Sequence, residues 1–274
     1  MKVNMESMNI FNLTGRVAIV TGALGLIGKQ HCQALKSAGA SIVVSDLDAT
    51  ACENYAATLG GDSMGLLLDV TNRASLDAGL NVVMRHYGAV DILVNNAAVN
   101  DMFENPVMTG EQSKFENYPE SMWRRMFDVN VTGMFLCSQV FGSQMAKQGK
   151  GSIINVASTY GLVAPDQSLY CQPNGTQTFY KSAAYPATKG AVISFTRFLA
   201  AYWGEKGVRV NTLSPGGVEN AQDNYFVEAY SAKTPLRRMA SANDYQGALV
   251  FLASDASSYM TGANLIVDGG WTII

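Results

Sequence analysis

VAIVTGALGLIG, residues 17–28, joins a short apolar run to a glycine-rich turn. Residues 17–21 are continuously apolar and partly β-branched, which is typical of a strand buried on both faces. Residues 26–38 have the length and composition of a helix that ends at Gly39. Three glycines lie in the turn, spaced three residues apart: Gly22, Gly25 and Gly28. Strand, turn and helix together predict a site where a helix N-terminus meets the pyrophosphate of a dinucleotide.

The same alternation of strand and helix continues along the whole chain. Further strands are predicted at residues 41–45, 64–68, 92–95, 152–156, 208–213 and 264–267. Further helices are predicted at residues 49–59, 73–87, 121–145 and 185–203, with Ser121 as the cap of the long one. This pattern predicts an α/β fold: a Rossmann-like, doubly wound, seven-stranded parallel sheet with helices on both faces. Residues 1–274 are predicted as a single domain with an N-terminal tail over residues 1–12.

Composition limits the class of protein. Of 274 residues, 48% are hydrophobic, which supplies a sizeable core, and only 15% are charged, against about 25% on average. So few charges, with an apolar C-terminus that includes Trp271, Ile273 and Ile274, predict a homotetramer, or at least a dimer. A net charge of −3 gives no general basic surface for nucleic acid or membrane. Four scattered cysteines, two histidines and no apolar run of membrane length predict a cytoplasmic protein without a metal site.

Two acids end neighbouring predicted strands. Asp46 ends the second strand, where a carboxylate accepts both hydroxyls of an adenosine ribose and repels a 2′-phosphate. Because Leu47 and not an arginine follows it, NAD is favoured over NADP as cofactor. Asp69, followed by Val70, ends the third strand and is a candidate for the adenine amino group. For either acid, a simple turn role is the alternative.

The segment YPATK, residues 185–189, carries a tyrosine and a lysine four residues apart. On a helix this spacing places Tyr185 and Lys189 on one face, one turn apart. An ammonium beside a phenol favours the phenolate, so we expect the pKa of Tyr185 to lie below its ordinary value of about 10. Such a tyrosine exchanges a proton with an alcohol or a carbonyl near neutral pH.

Six motifs in order resemble the short-chain dehydrogenase/reductase family over residues 13–271. They are TGALGLIG at 21–28, NNAA at 95–98, NVTG at 130–133, INVAS at 154–158, YPATK at 185–189 and SPGGV at 214–218. The resemblance implies an NAD(P)-dependent oxidoreductase that interconverts a secondary alcohol and a ketone by hydride transfer. A softer likeness points to the bacterial branch of gluconate-type and nonulosonate-biosynthesis oxidoreductases.

The resemblance also assigns roles to residues. Tyr185 would be the general acid/base, and Lys189 would lower its pKa and hold the nicotinamide ribose. Ser158 would stabilise charge on the substrate oxygen, and Asn130 would hold a water of a proton relay. The cofactor would contact the glycine turn and the ends of the strands, with Asn95 also placed in the adenosine pocket. The residues implied for cofactor binding are Gly22, Gly25, Leu26, Ile27, Gly28, Asp46, Leu47, Asp69, Val70, Asn96, Ala97, Tyr185, Lys189, Pro215, Gly216 and Val218.

Three features depart from the family pattern. Gly25 lies one place earlier than usual, and Ala98 replaces a glycine. Ser158 and Tyr185 are 27 residues apart, a longer gap than usual. Tyr160 and Tyr180 are therefore rival bases, but each is followed four residues on by alanine, at positions 164 and 184. Lys181, the neighbour of Tyr180, would project elsewhere on any helix, so Tyr185 remains the predicted base.

Two enlarged loops, residues 100–120 and 165–184, and a lid at 217–240 are predicted to surround the substrate. The second loop combines aromatic rings with amides and hydroxyls, a mixture that suits a polyhydroxylated ligand. We therefore expect a sugar, sugar acid, polyol or sugar derivative as substrate, the alternative being a packing loop of ordinary composition. Its polar members are Gln167, Gln172, Asn174, Thr176, Gln177 and Thr178.

Two other functions stay open. One is a 3-oxoacyl-[acyl-carrier-protein] reductase, which Asp46 and the acidic net charge disfavour. The other is a non-catalytic dinucleotide sensor, which has no need of the four residues assigned to proton transfer.

Overall fold

A computed structural model describes residues 10–101 and 110–274. Within them the chain forms a parallel sheet of seven strands, in the order β3-β2-β1-β4-β5-β6-β7. The predicted doubly wound fold is confirmed. The strands are β1 (Val17–Thr21), β2 (Ser41–Asp46), β3 (Met64–Leu67), β4 (Ile92–Asn95), β5 (Gly151–Val156), β6 (Val208–Pro215) and β7 (Asn264–Val267).

Helices connect successive strands. They are α1 (Leu26–Ser37), α2 (Ala49–Leu59), α3 (Arg73–Tyr87), α4 (Gly110–Ser113), α5 (Glu120–Phe127), α6 (Met134–Cys137), α7 (Ser143–Gln148), α8 (Ala184–Trp203), α9 (Asn224–Lys233) and α10 (Gln246–Ala253). The segments Asp128–Gly133 and Ser138–Gly142 are π-helical and join α5, α6 and α7 into one continuous run. Short 3₁₀ turns occur at Phe115–Asn117, Thr159–Gly161, Gln167–Tyr170, Gly204–Lys206, Ala242–Tyr245, Asp255–Ser257 and Trp271–Ile273.

Two apolar layers cover the two faces of the sheet. Alternate residues of a strand point to opposite faces, so Ala18 and Val20 join one layer and Val17 and Ile19 the other. The first layer packs against α1, α2 and α10, and the second against α3, α8 and the run from α5 to α7. Both faces are therefore buried, which accounts for the continuous apolar character of the strands.

The long fourth helix differs from its prediction. It begins at Glu120, directly after Pro119, and not under a cap from Ser121. It continues to Gln148 and ends where Gly149 adopts a left-handed conformation with φ of 74°, a conformation that favours glycine. The first helix ends at Ser37, one residue before the predicted end, because Ala38 caps it.

The strand order reverses between β1 and β4, both of which end at the same edge of the sheet. In open α/β sheets ligands bind at the carboxyl ends of the strands at such a reversal. In the parts of the chain that are described, no helix is long and apolar enough to cross a membrane.

Candidate active site

A cavity of about 760 Å³ opens at this edge of the sheet. Its wall includes all sixteen residues that the family resemblance implies for cofactor binding, but not Asn95. Around it lie the glycine turn, the ends of the strands and the start of α8. These sixteen residues are Gly22, Gly25, Leu26, Ile27, Gly28, Asp46, Leu47, Asp69, Val70, Asn96, Ala97, Tyr185, Lys189, Pro215, Gly216 and Val218.

The glycine turn permits close backbone approach at two positions. Gly22 has a φ of +62°, and a Cβ atom there would lie 2.8 Å from the Cα of Ala97. A Cβ atom on Gly28 would lie 2.2 Å from the carbonyl oxygen of Gly22. Gly25, the N-cap of α1, is less constrained, since its nearest such contact is 3.3 Å. The displaced middle glycine therefore matters less to the turn than the outer two.

The first turn of α1 faces the cavity with no side-chain cap at Gly25. The leading N–H groups of a helix have no partner within the helix and carry partial positive charge. Leu26 and Ile27 lie at this position and line the cavity. The uncapped turn and the tight glycine cradle both fit the pyrophosphate of a dinucleotide.

Asp46 supports the turn and faces the cavity at once. Its Oδ2 accepts a hydrogen bond from the backbone N–H of Leu24 at 3.1 Å, and its Oδ1 accepts one from Leu47 at 2.8 Å. A carboxylate oxygen accepts more than one hydrogen bond, so both oxygens retain capacity for ribose hydroxyls. Asp69 likewise combines a turn role with a place on the cavity wall, because its Oδ1 accepts bonds from the backbone and hydroxyl of Thr71 at 2.9 and 2.7 Å.

The end of β4 fixes the glycine turn from the other side. Thr21 Oγ1 accepts the backbone N–H groups of Asn96 and Ala97, each at 3.1 Å, and the Asn96 amide donates to the carbonyls of Thr21 and Gly22. The expectation for Asn95 is wrong. Its buried amide donates to Asn155 of β5 and to Ser138 of the helical run, and Asn95 is not among the residues of the cavity wall.

Ser158, Tyr185 and Lys189 meet at the far end of the cavity. Ser158 follows β5 in extended conformation, and its Oγ accepts the backbone N–H of Tyr160 at 3.2 Å. Its side chain also acts on the pKa of Tyr185, which lies in the first turn of α8. Lys189 Nζ donates to the carbonyl of Val156 at 2.9 Å and lies 5.6 Å from the ring centroid of Tyr185. The 27-residue gap in sequence is thus closed in space.

Burial dominates the electrostatics of this group. It raises the pKa of Tyr185 above its ordinary value, and the hydrogen bond with Ser158 only partly opposes that rise. The expected fall in the pKa of Tyr185 is therefore wrong, because the loss of hydration outweighs the hydrogen bond with Ser158. Burial also lowers the pKa of Lys189 to about 8. The rival Tyr160 also lines the cavity, but burial and Tyr170 raise its pKa strongly.

Asn130 lies behind the cavity wall. It belongs to the π-helical segment between α5 and α6 and is buried. Its amide accepts a bond from the backbone N–H of Val99 at 2.8 Å and donates to the Val99 carbonyl and to Thr188 Oγ1 at 3.1 and 3.2 Å. Thr188 directly precedes Lys189, so Asn130 connects the end of β4 to the helix that carries the tyrosine and lysine.

The insert at residues 165–184 uses its amides on its own backbone. Gln167 bonds both the N–H and the carbonyl of Lys181 at 2.9 Å, and Gln177 donates to the carbonyls of Gln167 and Phe179. The described cavity wall contains none of the polar residues of this insert on which the expectation of a hydroxylated substrate was based. Those absent from it are Gln167, Gln172, Asn174, Thr176, Gln177 and Thr178.

Two other side chains of the insert do line the cavity, Tyr170 and Lys181. Lys181 is buried, its Nζ donates to Asn100 Oδ1, and it lies 4.3 Å from the ring centroid of Tyr185. Sequence reasoning missed it because only helical spacings were considered. Helix α8 begins at Ala184, so Lys181 stands on non-helical chain and reaches back over the tyrosine.

Residues of the predicted lid cover the same end of the cavity. Phe226 and Tyr230 of α9 line it, and the Tyr230 hydroxyl accepts the backbone N–H of Gly217 at 2.6 Å. Trp271 is buried against Tyr230 with ring centroids 4.2 Å apart. The C-terminal tryptophan therefore packs within its own chain. In the first enlarged loop, residues 102–109 lie outside the described residues, as do residues 1–9 of the predicted tail.

The chain belongs to the short-chain dehydrogenase/reductase family. A family profile described as "Enoyl-(Acyl carrier protein) reductase" matches residues 22–272. With this membership, the chain is a nicotinamide-dependent dehydrogenase or reductase that interconverts an alcohol and a carbonyl compound.

Relatives match over nearly the full length. The chain is 37% identical over 271 residues to D-threitol dehydrogenase of Mycolicibacterium smegmatis, with 96% of this chain and 95% of that protein covered. It is 34% identical over 279 residues to galactitol 2-dehydrogenase (L-tagatose-forming) of Cereibacter sphaeroides, with 98% and 100% covered. A crystal structure of a gluconate 5-dehydrogenase from Burkholderia cenocepacia, in complex with NADP and tartrate, is 30% identical with a TM-score of 0.84, covering 98% of this chain and 99% of that one.

Proposed function

We propose that the protein is an NAD-dependent dehydrogenase of a sugar, polyol or sugar acid, with Tyr185 as its general acid/base. One observation carries this proposal: Ser158, Tyr185 and Lys189 converge at one end of a cavity whose other end is the glycine turn. A binding module has no use for a buried phenol and ammonium at that place. The second enlarged loop and residues 217–240 are proposed to enclose the substrate.

The chemistry of each residue follows from its environment. With a raised pKa, Tyr185 holds its proton at neutral pH and is suited to donate it to a carbonyl oxygen of the substrate. Ser158 would hydrogen-bond the same oxygen as charge develops on it. Lys189 would hold the ribose next to the nicotinamide. Asn130 would hold α8, the helix that carries Lys189, in position through Thr188, and would hold a water that connects Lys189 to the proton relay. The nicotinamide, when bound, supplies or accepts the hydride.

Preference for NAD over NADP rests on Asp46. Its carboxylate faces the cavity at the end of β2, and the neighbouring Leu47 is exposed and offers no charge to a 2′-phosphate. The described wall has three cationic residues, and none of them belongs to the end of β2. They are Arg125, Lys181 and Lys189. A like charge at the ribose would repel a phosphate.

A hydroxylated substrate is supported by the relatives that act on threitol and galactitol and by polar side chains on the wall. Asn100, Asn220 and Gln222 line the cavity beside Tyr160 and Tyr170. Amides and phenols of this kind hydrogen-bond to hydroxyl groups. The reduction of 3-oxoacyl thioesters is the competing activity, and the experiment below separates the two.

A homotetramer is supported by an exposed row of aromatic side chains. On α6 and α8, Phe135 and Phe195 contact each other, and Phe198 stacks on Tyr202 with ring centroids 5.8 Å apart. Phe198 and Tyr202 are 60% and 66% exposed. Apolar surface of this extent is typical of an interface. A cytoplasmic location is supported by the free thiols of the four cysteines, Cys32, Cys52, Cys137 and Cys171.

The test is NAD reduction by the purified protein over a panel of polyols, sugar acids and aldoses, with NADP in parallel and acyl thioesters with NADPH in the reverse direction. We expect turnover on the hydroxylated compounds with NAD. Replacing Tyr185 with Phe should abolish turnover while NADH still binds. Activity confined to acyl thioesters, or full activity of the Tyr185→Phe variant, would contradict the proposal.

A further inference from the structure

A second buried lysine stands beside the reactive tyrosine. Lys181 is 5% exposed, lines the cavity, and lies 4.3 Å from the ring centroid of Tyr185, closer than Lys189 at 5.6 Å. It belongs to the insert and not to α8. None of the roles derived above uses it.

Among the residues that the structure describes, the ammonium of Lys181 has no counter-ion in direct contact. Its Nζ donates to the neutral amide oxygen of Asn100. Asp101 acts on it only at longer range, and hydroxyl donors occupy that carboxylate: Tyr118 at 3.0 and 3.1 Å, and Ser182. Across residues 10–101 and 110–274, no carboxylate lies within 4 Å of the Lys181 ammonium.

Keeping this charge buried is unfavourable. Burial lowers the pKa of Lys181 to about 7, the positive charge of Lys189 adds to that effect, and Asp101 opposes it. A buried ammonium without a paired anion loses hydration that a neutral amide replaces only in part. An anion bound in the cavity would restore the missing interaction.

The charges on the cavity wall are unevenly distributed. The acids that line it, Asp46 and Asp69, follow β2 and β3 at the proposed adenosine end. At the end that holds Tyr185, the described wall contains Lys181 and Lys189 and no acid. This end of the cavity therefore attracts a negatively charged group.

We propose that Lys181 is a specificity-determining residue that binds a carboxylate of the substrate, so that the enzyme prefers sugar acids to the neutral polyols of the same length. The proposal rests on the function proposed above and narrows its substrate class. An ammonium and a carboxylate form a charge-assisted hydrogen bond, one of the stronger contacts available in a cavity. Because the ammonium lies over the ring of Tyr185, the bound carboxylate belongs close to the reacting hydroxyl along the carbon chain.

The test compares acids and alditols that share a carbon skeleton: threonate with threitol, and gluconate with glucitol. For each compound we measure kcat/KM with NAD, and the Kd with which the compound binds to the enzyme–NADH complex. We expect the wild type to favour the acids by about 10- to 100-fold in both quantities, the range of a hydrogen bond to a charged group.

The variants are Lys181→Met, which keeps the length of the side chain, and Lys181→Gln, which keeps a donor. Both variants should lose the preference for acids, while kcat/KM and Kd for the alditols change by less than about threefold. Lys206→Gln, which removes an exposed lysine elsewhere, is the matched control and should keep the preference. Circular dichroism and NADH binding establish that each variant folds.

Equal losses for acids and alditols in both Lys181 variants would overturn the proposal, since they would mean that Lys181 only holds Tyr185 in place. Persistence of the preference in both variants would overturn it as well. A wild type that oxidises alditols but neither binds nor prefers acids would refute the role of Lys181 and leave the proposed function standing. No turnover of any of the four compounds would count against the proposed function, whereas the Kd values would still decide the role of Lys181. If neither variant folds, the wild-type ratio decides alone, and a ratio near one overturns the proposal.

Discussion

Replacing Asp46 with Asn should reverse the proposed preference for NAD. The amide keeps nearly the same volume and one acceptor oxygen, which can serve the N–H of Leu47 or that of Leu24, so the turn that Asp46 supports loses one of its two hydrogen bonds. What it removes is the negative charge that faces the cavity. The variant therefore tests the charge together with the loss of one hydrogen bond to the glycine turn.

The expected magnitude follows from two effects. Hydrogen bonds to a charged acceptor contribute about 1.5–3 kcal/mol and neutral ones about 0.5–1.5 kcal/mol, so two ribose hydroxyls lose about 2–3 kcal/mol together. That loss lowers kcat/KM for NAD by about 30- to 150-fold. Removing the like charge also relieves about 1–4 kcal/mol per unit of phosphate charge at ~4 Å, the range between bulk water and a protein surface. The use of NADP should therefore rise by about tenfold or more.

The assay measures kcat/KM for NAD and NADP at one fixed ionic strength, with Kd for NADH and NADPH from the quenching of protein fluorescence. Asp62→Asn removes a carboxylate that is 64% exposed and outside the cavity. This control should leave kcat/KM and Kd unchanged for both cofactors. The reasoning fails if the wild type prefers NADP. It also fails if Asp46→Asn changes the NAD/NADP ratio by less than about threefold.

Three further changes test the core and the turn. Phe141 is fully buried in the layer that packs against α8, so Phe141→Ala should cost about 3–5 kcal/mol of unfolding free energy in urea at fixed protein concentration, and a cost under ~1 kcal/mol would contradict it. Burial lowers the pKa of His31 to about 3 from 6.5, so the unfolded state binds the proton first, and the free energy of unfolding should fall by about 1.4 kcal/mol per pH unit as pH drops from 6.5 towards 3. His31→Leu should flatten that acid limb in urea titrations at several pH values, and the same change at the exposed His86 should not. Gly28→Ala, whose Cβ would meet a carbonyl oxygen at 2.2 Å, should weaken NADH binding far more than Gly25→Ala, whose nearest contact is 3.3 Å, and equal Kd values would refute this account of the turn.

The sheet and the cofactor cavity are predictable from sequence because local signals decide them. A strand buried on both faces must be apolar throughout, so each run reveals its own position. The turn after β1 requires Gly22 and Gly28 on steric grounds alone. Parallel strands with right-handed crossovers then bring their carboxyl ends to one edge. Residues such as Asp46 and Pro215 can therefore be placed in one cavity without any knowledge of tertiary contacts.

The other end of the cavity is less predictable because long-range contacts decide it. A glutamine in a loop can face a ligand or the loop's own backbone, and composition does not distinguish the two. The direction in which the pKa of Tyr185 shifts depends on how fully the ring is buried, and the spacing along a helix does not reveal that burial. The continuous run from α5 to α7 includes π-helical turns that have no strong sequence signal.

The insert shows why such a loop can still place a residue firmly. Gln167 pairs with both backbone groups of Lys181, as a neighbouring strand would, and Gln177 secures Gln167 in turn. Asp166 at the start of the insert pairs with Lys233 of α9, and Tyr170 packs on Phe226 of the same helix. The amides of Gln167 and Gln177 therefore hold the backbone of the insert in place. The side chain held in place by them is that of Lys181, whose Nζ lies over the ring of Tyr185, so under the proposed function the insert contributes a charge beside the Tyr170 phenol at the substrate end of the cavity.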